Sequence, residues 1–221
     1  MSFSLDTSGG KAGSLGRNCS VGALVLVAGW FAVIATTLAV VANYSNTPGR
    51  EGTAPPDWPT QSRVTLDAHR PTLLMFAHPH CPCTRASLGE LDSLLARCPG
   101  QLSVHVLFIR PAGAAKDWVQ TDLWRRAAAL PGVAVQRDDG CVEAQRFHTK
   151  TSGNVLLYNP QGRLLFQGGI TLSRGHSGDN AGRSALIGLV RHEVARPIQT
   201  PVFGCSLFEN QCQEGSTECR K

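Results

Sequence analysis

The chain has 221 residues, 42% hydrophobic and 17% charged, with a formal net charge of +5. That length suits one domain of ordinary size plus an appended segment. The basic excess is small and scattered, without the clustered stripe that nucleic-acid binding requires, so no nucleic-acid partner is expected.

Residues 1–18 are polar and glycine-rich and predict a disordered cytoplasmic tail. From Cys19 to Ala42 no residue is charged. Residues 21–42 would make a helix about 33 Å long at 1.5 Å per residue, roughly the thickness of a hydrocarbon core. Lys11 and Arg17 precede this stretch, opposed only by Asp6, and the next basic residue is Arg50. The positive-inside rule therefore places the N-terminus in the cytoplasm and the remainder in a periplasmic or other extracytoplasmic space. A cleaved signal peptide, with Val40-Val41-Ala42 at the cleavage site, is the rival reading. The apolar stretch exceeds the roughly 7–15 residues usual for such a segment, which favours an uncleaved anchor over 19–42.

Residues 43–62 are rich in Pro, Gly, Ser and Thr and predict a linker. A domain follows over 63–196. Residues 64–66 suggest a short edge strand and 72–77 a buried strand. A helix is predicted over 84–97, stopped by Pro99-Gly100. A strand over 103–109 ends at Pro111, and a helix follows over 117–130. Residues 133–136 read as a strand and 139–147 as a short helix capped by Asp139. Two strands, 155–158 and 164–167, flank the hairpin turn Asn159-Pro160-Gln161-Gly162. Asp179-Asn180 caps a last helix to about Val194. Residues 197–221 form a cysteine-containing tail. Alternating strands and helices followed by a hairpin imply an α/β mixed sheet flanked by helices. Right-handed crossovers make its first three core strands parallel.

The chemistry concentrates in His78-Pro79-His80-Cys81-Pro82-Cys83-Thr84-Arg85-Ala86-Ser87, at a strand-to-helix turn. The positive end of a helix dipole there favours thiolate over thiol. Cys81 and Cys83 read as a Cys-x-Cys redox pair, whose small ring would be strained and oxidising. His78 and His80 would assist when protonated. The same residues also offer two imidazoles and two thiols within six positions, a donor set that suits copper or zinc. With the redox reading no cofactor is expected; with the metal reading His78, His80, Cys81 and Cys83 are the ligands.

Seven of the eight cysteines follow the apolar span, in a compartment that permits disulfides. Cys98, at the far end of the helix begun near Cys83, reads as a small buried apolar residue. Cys141 follows a strand parallel to the first and is a candidate second redox partner, because both strand ends open on one sheet edge. Cys205, Cys212 and Cys219 suggest a tail disulfide, or one from Cys205 to the domain body. A mobile tail that delivers a thiol to Cys81 is the alternative. Arg174 and His176, after the last strand, are candidates to face the thiols on the same edge.

Phe76-Ala77-His78-Pro79-His80-Cys81-Pro82 resembles the Phe-Trp-Ala-Pro-Trp-Cys-Pro lead-in of membrane-anchored extracytoplasmic thioredoxins of the TlpA and ResA type. The ten-residue turn is similar to that of the RedB-like branch. So are Gly168-Gly169-Ile170-Thr171, Ser173-Arg174-Gly175-His176 and Gly178-Asp179-Asn180. The resemblance covers about residues 63–195. It implies a thioredoxin-like mixed sheet behind one N-terminal transmembrane helix, and thiol–disulfide oxidoreductase activity on extracytoplasmic protein thiols or disulfides. Cys81 takes the family's attacking position and Thr84 its resolving position, with Cys83 one residue early. Gly153 stands nearest the family's cis-proline, so a cis X-Pro bond is not expected there; the glycine would permit close approach of a substrate backbone. Peroxidases of the superfamily place Thr three residues before the reactive cysteine, where this chain has His78.

Overall fold

A computed structural model describes residues 15–193 and 198–208. The chain divides into two units at Tyr44/Ser45. The first is the helix α1 (Leu15–Asn46). Within it Val21–Asn46, of mean hydropathy 2.5, is long and apolar enough to cross a membrane. Its large apolar side chains, Leu24, Leu26 and Phe31 among them, are exposed. Thr36 and Thr37 donate their hydroxyls to the carbonyls of Ala32 and Val33, both at 2.8 Å. Their polar groups are thereby satisfied within the helix, as a lipid environment demands.

The second unit is built on a six-stranded sheet. Its strands are β1 (Thr72–Ala77), β2 (Ser103–Arg110), β3 (Val133–Asp139), β4 (Asn154–Tyr158), β5 (Leu164–Gly168) and β6 (Ile198–Gln199), in the order β3-β2-β1-β4-β5-β6. β1 pairs parallel with β2 and antiparallel with β4, and β2 pairs parallel with β3. β5 runs antiparallel to β4 and so parallel to β1, as the hairpin signal predicts. The helices are α2 (Cys83–Arg97), α3 (Asp122–Ala128), α4 (Val142–Arg146) and α5 (Ala181–Val190). This is a thioredoxin-like mixed sheet flanked by helices.

All six residues of β1 are buried, which places it at the centre with both faces covered. Alternation sends Leu73, Met75 and Ala77 to one face, against Leu88, Leu91 and Leu186 of α2 and α5. Leu74 and Phe76 go to the other, with Phe147, Tyr158 and Leu207. Each large apolar side chain so buried stabilises the fold by roughly 1.5–3 kcal/mol. Cys98 closes α2, 1% exposed, its N–H donating to the carbonyls of Leu94 and Leu95.

Several expectations are corrected. Residues 64–66 form no strand; Val64 instead buries itself in the second cluster. The helix predicted over 117–130 shortens to Asp122–Ala128, because the Thr121 side chain caps it by accepting the Trp124 N–H. Asp138, not Asp139, serves α4, accepting the N–H groups of Glu143 and Ala144 at 2.9 Å, while Asp139 pairs with Arg110 and Arg137. Asn180 does cap α5, accepting the Arg183 N–H at 2.8 Å. That helix stops at Val190 because His192 turns left-handed (φ 61°). The N–H groups of Glu193 and His192 then close on the carbonyls of Gly188 and Leu189.

The stretch read as a linker is a packed strap from residue 47 onward. Gly49 N–H donates to Val202 O, Tyr158 Oη–H to Pro55 O, and Leu164 N–H to Pro56 O, each at 2.8 Å. Trp58 stacks edge-on against Phe147 and Tyr158.

Candidate active site

β1 ends at Ala77 and the chain turns directly into α2. Cys81 N–H donates to His78 O and Thr84 N–H to Cys81 O, both at 3.1 Å. Pro82 occupies the N-cap position with helical φ −62°, where a missing N–H costs nothing. A latch fixes this turn to the loop before β4. His78 N–H donates to Ser152 Oγ at 2.9 Å, and Thr84 Oγ1 lies 2.9 Å from the same oxygen while donating to His78 O at 3.3 Å. Thr84 therefore holds the turn in place.

The sulfurs of Cys81, Cys83 and Cys205 all lie within 4.8 Å of one another. Cys81 Sγ and Cys205 Sγ lie 2.7 Å apart, from residues 124 positions apart along the chain. Residues 205–207 reach this place because they lie antiparallel to 150–152. Ser152 N–H donates to Cys205 O at 2.8 Å and Leu207 N–H to Lys150 O at 2.9 Å, with a bridge between Thr151 and Ser206. Arg174 ties down the same segment, its Nη1 donating to Gly204 O and its Nε to Thr47 O, the latter at 3.1 Å.

Hydrogen bonds from Cys205 and then Cys83 hold the Cys81 thiol far below the ordinary thiol range, against the opposing effect of burial. Cys205 is pushed far above that range by its bonds to Cys81 and Cys83, by burial and by the neighbouring negative charge. For Cys83 the bond with Cys205 pulls downward, but its bond to Cys81, burial and the Cys81 charge prevail, and the net shift is upward; the Arg174 cation offsets part of it. The downward direction at Cys81 suits a nucleophile, since the thiolate is the attacking form.

His78, His80, Cys81, Trp118 and Cys205 line an open cavity of about 250 Å³. Cys81 is only 1% exposed although it lines this cavity, because Cys205, itself half-buried, rests on its sulfur. The His80 ring lies 4.4 Å from that of Trp118 and its backbone N–H donates to His78 Nδ1 at 3.1 Å. The Trp118 Nε1–H is buried without a hydrogen-bond partner among the described residues. Trp118 and Ser152 both escape sequence reasoning: the first falls in a stretch predicted as helix, and the second carries no motif.

Other candidates sit elsewhere. Cys141 is buried in the second apolar cluster with Phe76, Leu107 and Ile109 and is not among the converging sulfurs. It takes a left-handed φ of 57° at the N-cap of α4. Gly153 has φ +85°, and a Cβ there would meet Ser87 Oγ at 2.7 Å. The positive φ and this close contact with α2 both favour glycine here. There is no cis peptide bond among the described residues. His176 is exposed, its Nδ1 2.8 Å from Arg174 O, and it does not line the cavity. Cys212 and Cys219 lie outside the described residues. For a metal, the donor atoms that converge are three sulfurs. The imidazoles of His78 and His80 are not in that set, because His78 Nδ1 accepts the His80 N–H and His80 packs on Trp118.

Fold and site together define a thioredoxin-like domain with a cluster of thiols at the β1–α2 turn. No protein-family model and no curated protein matches the chain. Among solved structures, it is similar to a hypothetical protein from Sinorhizobium meliloti, at 16% identity and TM-score 0.53, covering 73% of this chain and 93% of that one. It is equally similar to an uncharacterized conserved protein from Geobacillus kaustophilus, at 17% identity and TM-score 0.53, covering 76% and 95%. A secreted Mycobacterium tuberculosis disulfide oxidoreductase aligns at 17% identity and TM-score 0.40, covering 57% and 84%. At these identities the likeness is one of fold.

Proposed function

We propose that this chain is a membrane-tethered extracytoplasmic thiol–disulfide oxidoreductase of the TlpA and ResA type, in its RedB-like branch. The observation that carries the reading is the Cys81 sulfur, set before the first turn of α2 in a sulfur trio and lining an open cavity. Attack by the Cys81 thiolate on a protein disulfide gives a mixed disulfide and releases one substrate thiolate. In this reading Cys83, the other member of the Cys-x-Cys pair, would release the second. The exposed apolar surface of α1 supports an anchor, and the basic residues before it support a cytoplasmic N-terminus with the domain outside. Substrates would then be extracytoplasmic protein thiols or disulfides. The test is disulfide reductase activity of the full chain in detergent with a dithiol reductant. Cys81→Ser should abolish it; retention of full activity overturns the proposal.

A second reading, a soft-metal chaperone, is favoured by the convergence of three sulfurs within 4.8 Å. Thiolates suit Cu(I) and zinc. In this reading Cys81, Cys83 and Cys205 hold the ion in place of the His78-His80-Cys81-Cys83 set. Titration of the reduced full chain with Cu(I) decides it: stoichiometric thiolate–metal absorbance supports the chaperone and its absence removes it.

A further inference from the structure

The Cys-x-Cys pair has a competitor within its own chain. Pro82 is helical, with φ −62° and ψ −28°, so Cys81 and Cys83 stand two residues apart in a helical turn. Their sulfurs lie within 4.8 Å of each other, but a Cys81–Cys83 bond would close a small, strained ring across the turn that the His78, Ser152 and Thr84 latch fixes. Cys205 arrives on a separate segment, already in contact with Cys81 at 2.7 Å. It is held there by two main-chain hydrogen bonds to 150–152 and by Arg174. Gly204, just before it, packs so closely that a Cβ would stand 2.0 Å from Ser152 O.

We propose that Cys205 is the thiol that resolves the Cys81 mixed disulfide, so that the oxidised protein carries a Cys81–Cys205 bond. The inference rests on the oxidoreductase reading and assigns its second half-reaction to a different residue. In the first step Cys81–S⁻ attacks a substrate disulfide R–S–S–R′, forming Cys81–S–S–R and releasing R′–S⁻. In the second, Cys205 loses its proton to the departed thiolate and attacks the Cys81 sulfur. The Cys81–Cys205 bond forms, the bond to R breaks, and R–S⁻ leaves. The substrate disulfide gains two electrons and the Cys81/Cys205 dithiol loses two; an external dithiol reductant restores it.

The Cys205 thiol is raised by its bonds to Cys81 and Cys83, by burial and by neighbouring charge. Loss of the Cys81 contributions in a mixed disulfide makes Cys205 easier to ionise.

The test uses the reduced full chain in detergent and oxidised glutathione as the probe, with acid quenching, alkylation and mass-spectrometric peptide mapping. Wild type should yield a Cys81–Cys205 disulfide. Cys205→Ser should retain the Cys81–glutathione adduct at least about tenfold longer than wild type, and Cys83→Ser should resolve it at close to the wild-type rate. A Cys81–Cys83 disulfide in wild type, or an adduct that persists in Cys83→Ser and not in Cys205→Ser, overturns the inference and leaves the oxidoreductase reading intact. A bond from Cys81 to Cys212 or Cys219 also overturns it. Failure of Cys81 to form any adduct removes both. The wild-type mapping decides the matter even where a variant does not fold.

Discussion

Gly204 and Ser152 approach so closely that a methyl group on Gly204 would stand 2.0 Å from the Ser152 carbonyl oxygen and 3.0 Å from its carbon. The contact is backbone against backbone, so no side chain can yield to relieve it. It seats Cys205 on Cys81, and it places Leu207, 1% exposed, in the second apolar cluster.

Gly204→Ala should therefore lift the segment that carries Cys205. Alkylation of Cys205 in the native, reduced full chain should accelerate by about tenfold or more as its sulfur leaves the site. Site-resolved mass spectrometry measures the rate. An unchanged rate would show that the glycine does not hold the segment.

Glu90 of α2 and Arg183 of α5 form an ion pair that is almost wholly buried, at 2% and 6% exposure. Glu90 also accepts from Gly178 N–H at 2.7 Å and from Asn180 Nδ2 at 3.1 Å, so the acid ties the loop after β5 to the helix that bears the thiols. Glu90→Gln keeps the shape but leaves the Arg183 cation buried with, among the described residues, only Asp179 paired to it. A loss of roughly 3 kcal/mol is expected, because breaking one side of a buried pair strands the other charge. Denaturant unfolding at neutral pH measures it, and a loss below about 1 kcal/mol would place the pair with surface ion pairs in worth.

Burial pushes the His105 imidazole below its ordinary value of 6.5, against the opposing charge of Asp67. The folded chain therefore binds this proton less readily than the unfolded chain. Its contribution to stability is present above pH 6.5 and is lost as pH falls through the lower folded value. His105→Gln, which keeps a polar partner for Gln136 across 3.0 Å in the parent, should flatten the decline in thermal stability between about pH 7 and pH 5. Parallel decline in both proteins would exclude His105 as its source.

Local signals made the sheet legible. The apolar run over β1, the Pro99-Gly100 stop and the Asn159-Pro160-Gln161-Gly162 turn depend only on neighbours in sequence, and the elements they predict are present. Asn180 shows the same for a helix cap. What failed required partners far along the chain. Residues 47–62 have linker composition, yet Tyr158 and Gln167 supply hydrogen bonds that bind them as a strap. β6 is two residues long and exists through pairing with β5. Cys81 and Cys83 announce themselves by motif, whereas Cys205 sits in a polar tail whose register follows from backbone pairing with 150–152. Cys141 follows the right strand, but its side chain packs in the second apolar cluster with Phe76 and Leu107.

The account's central claim is that Cys81 is an activated, reachable thiolate. The most direct measurement is the pH dependence of native-state alkylation at Cys81 in the reduced full chain, resolved by mass spectrometry beside Cys98 and Cys141. The account predicts that Cys81 reacts first, with a midpoint well below the ordinary thiol value, and that Cys205→Ala, by removing the first of the hydrogen bonds that lower it, moves the midpoint upward. A Cys81 rate that follows an ordinary thiol, or that is no faster than the core thiols Cys98 and Cys141, would contradict it.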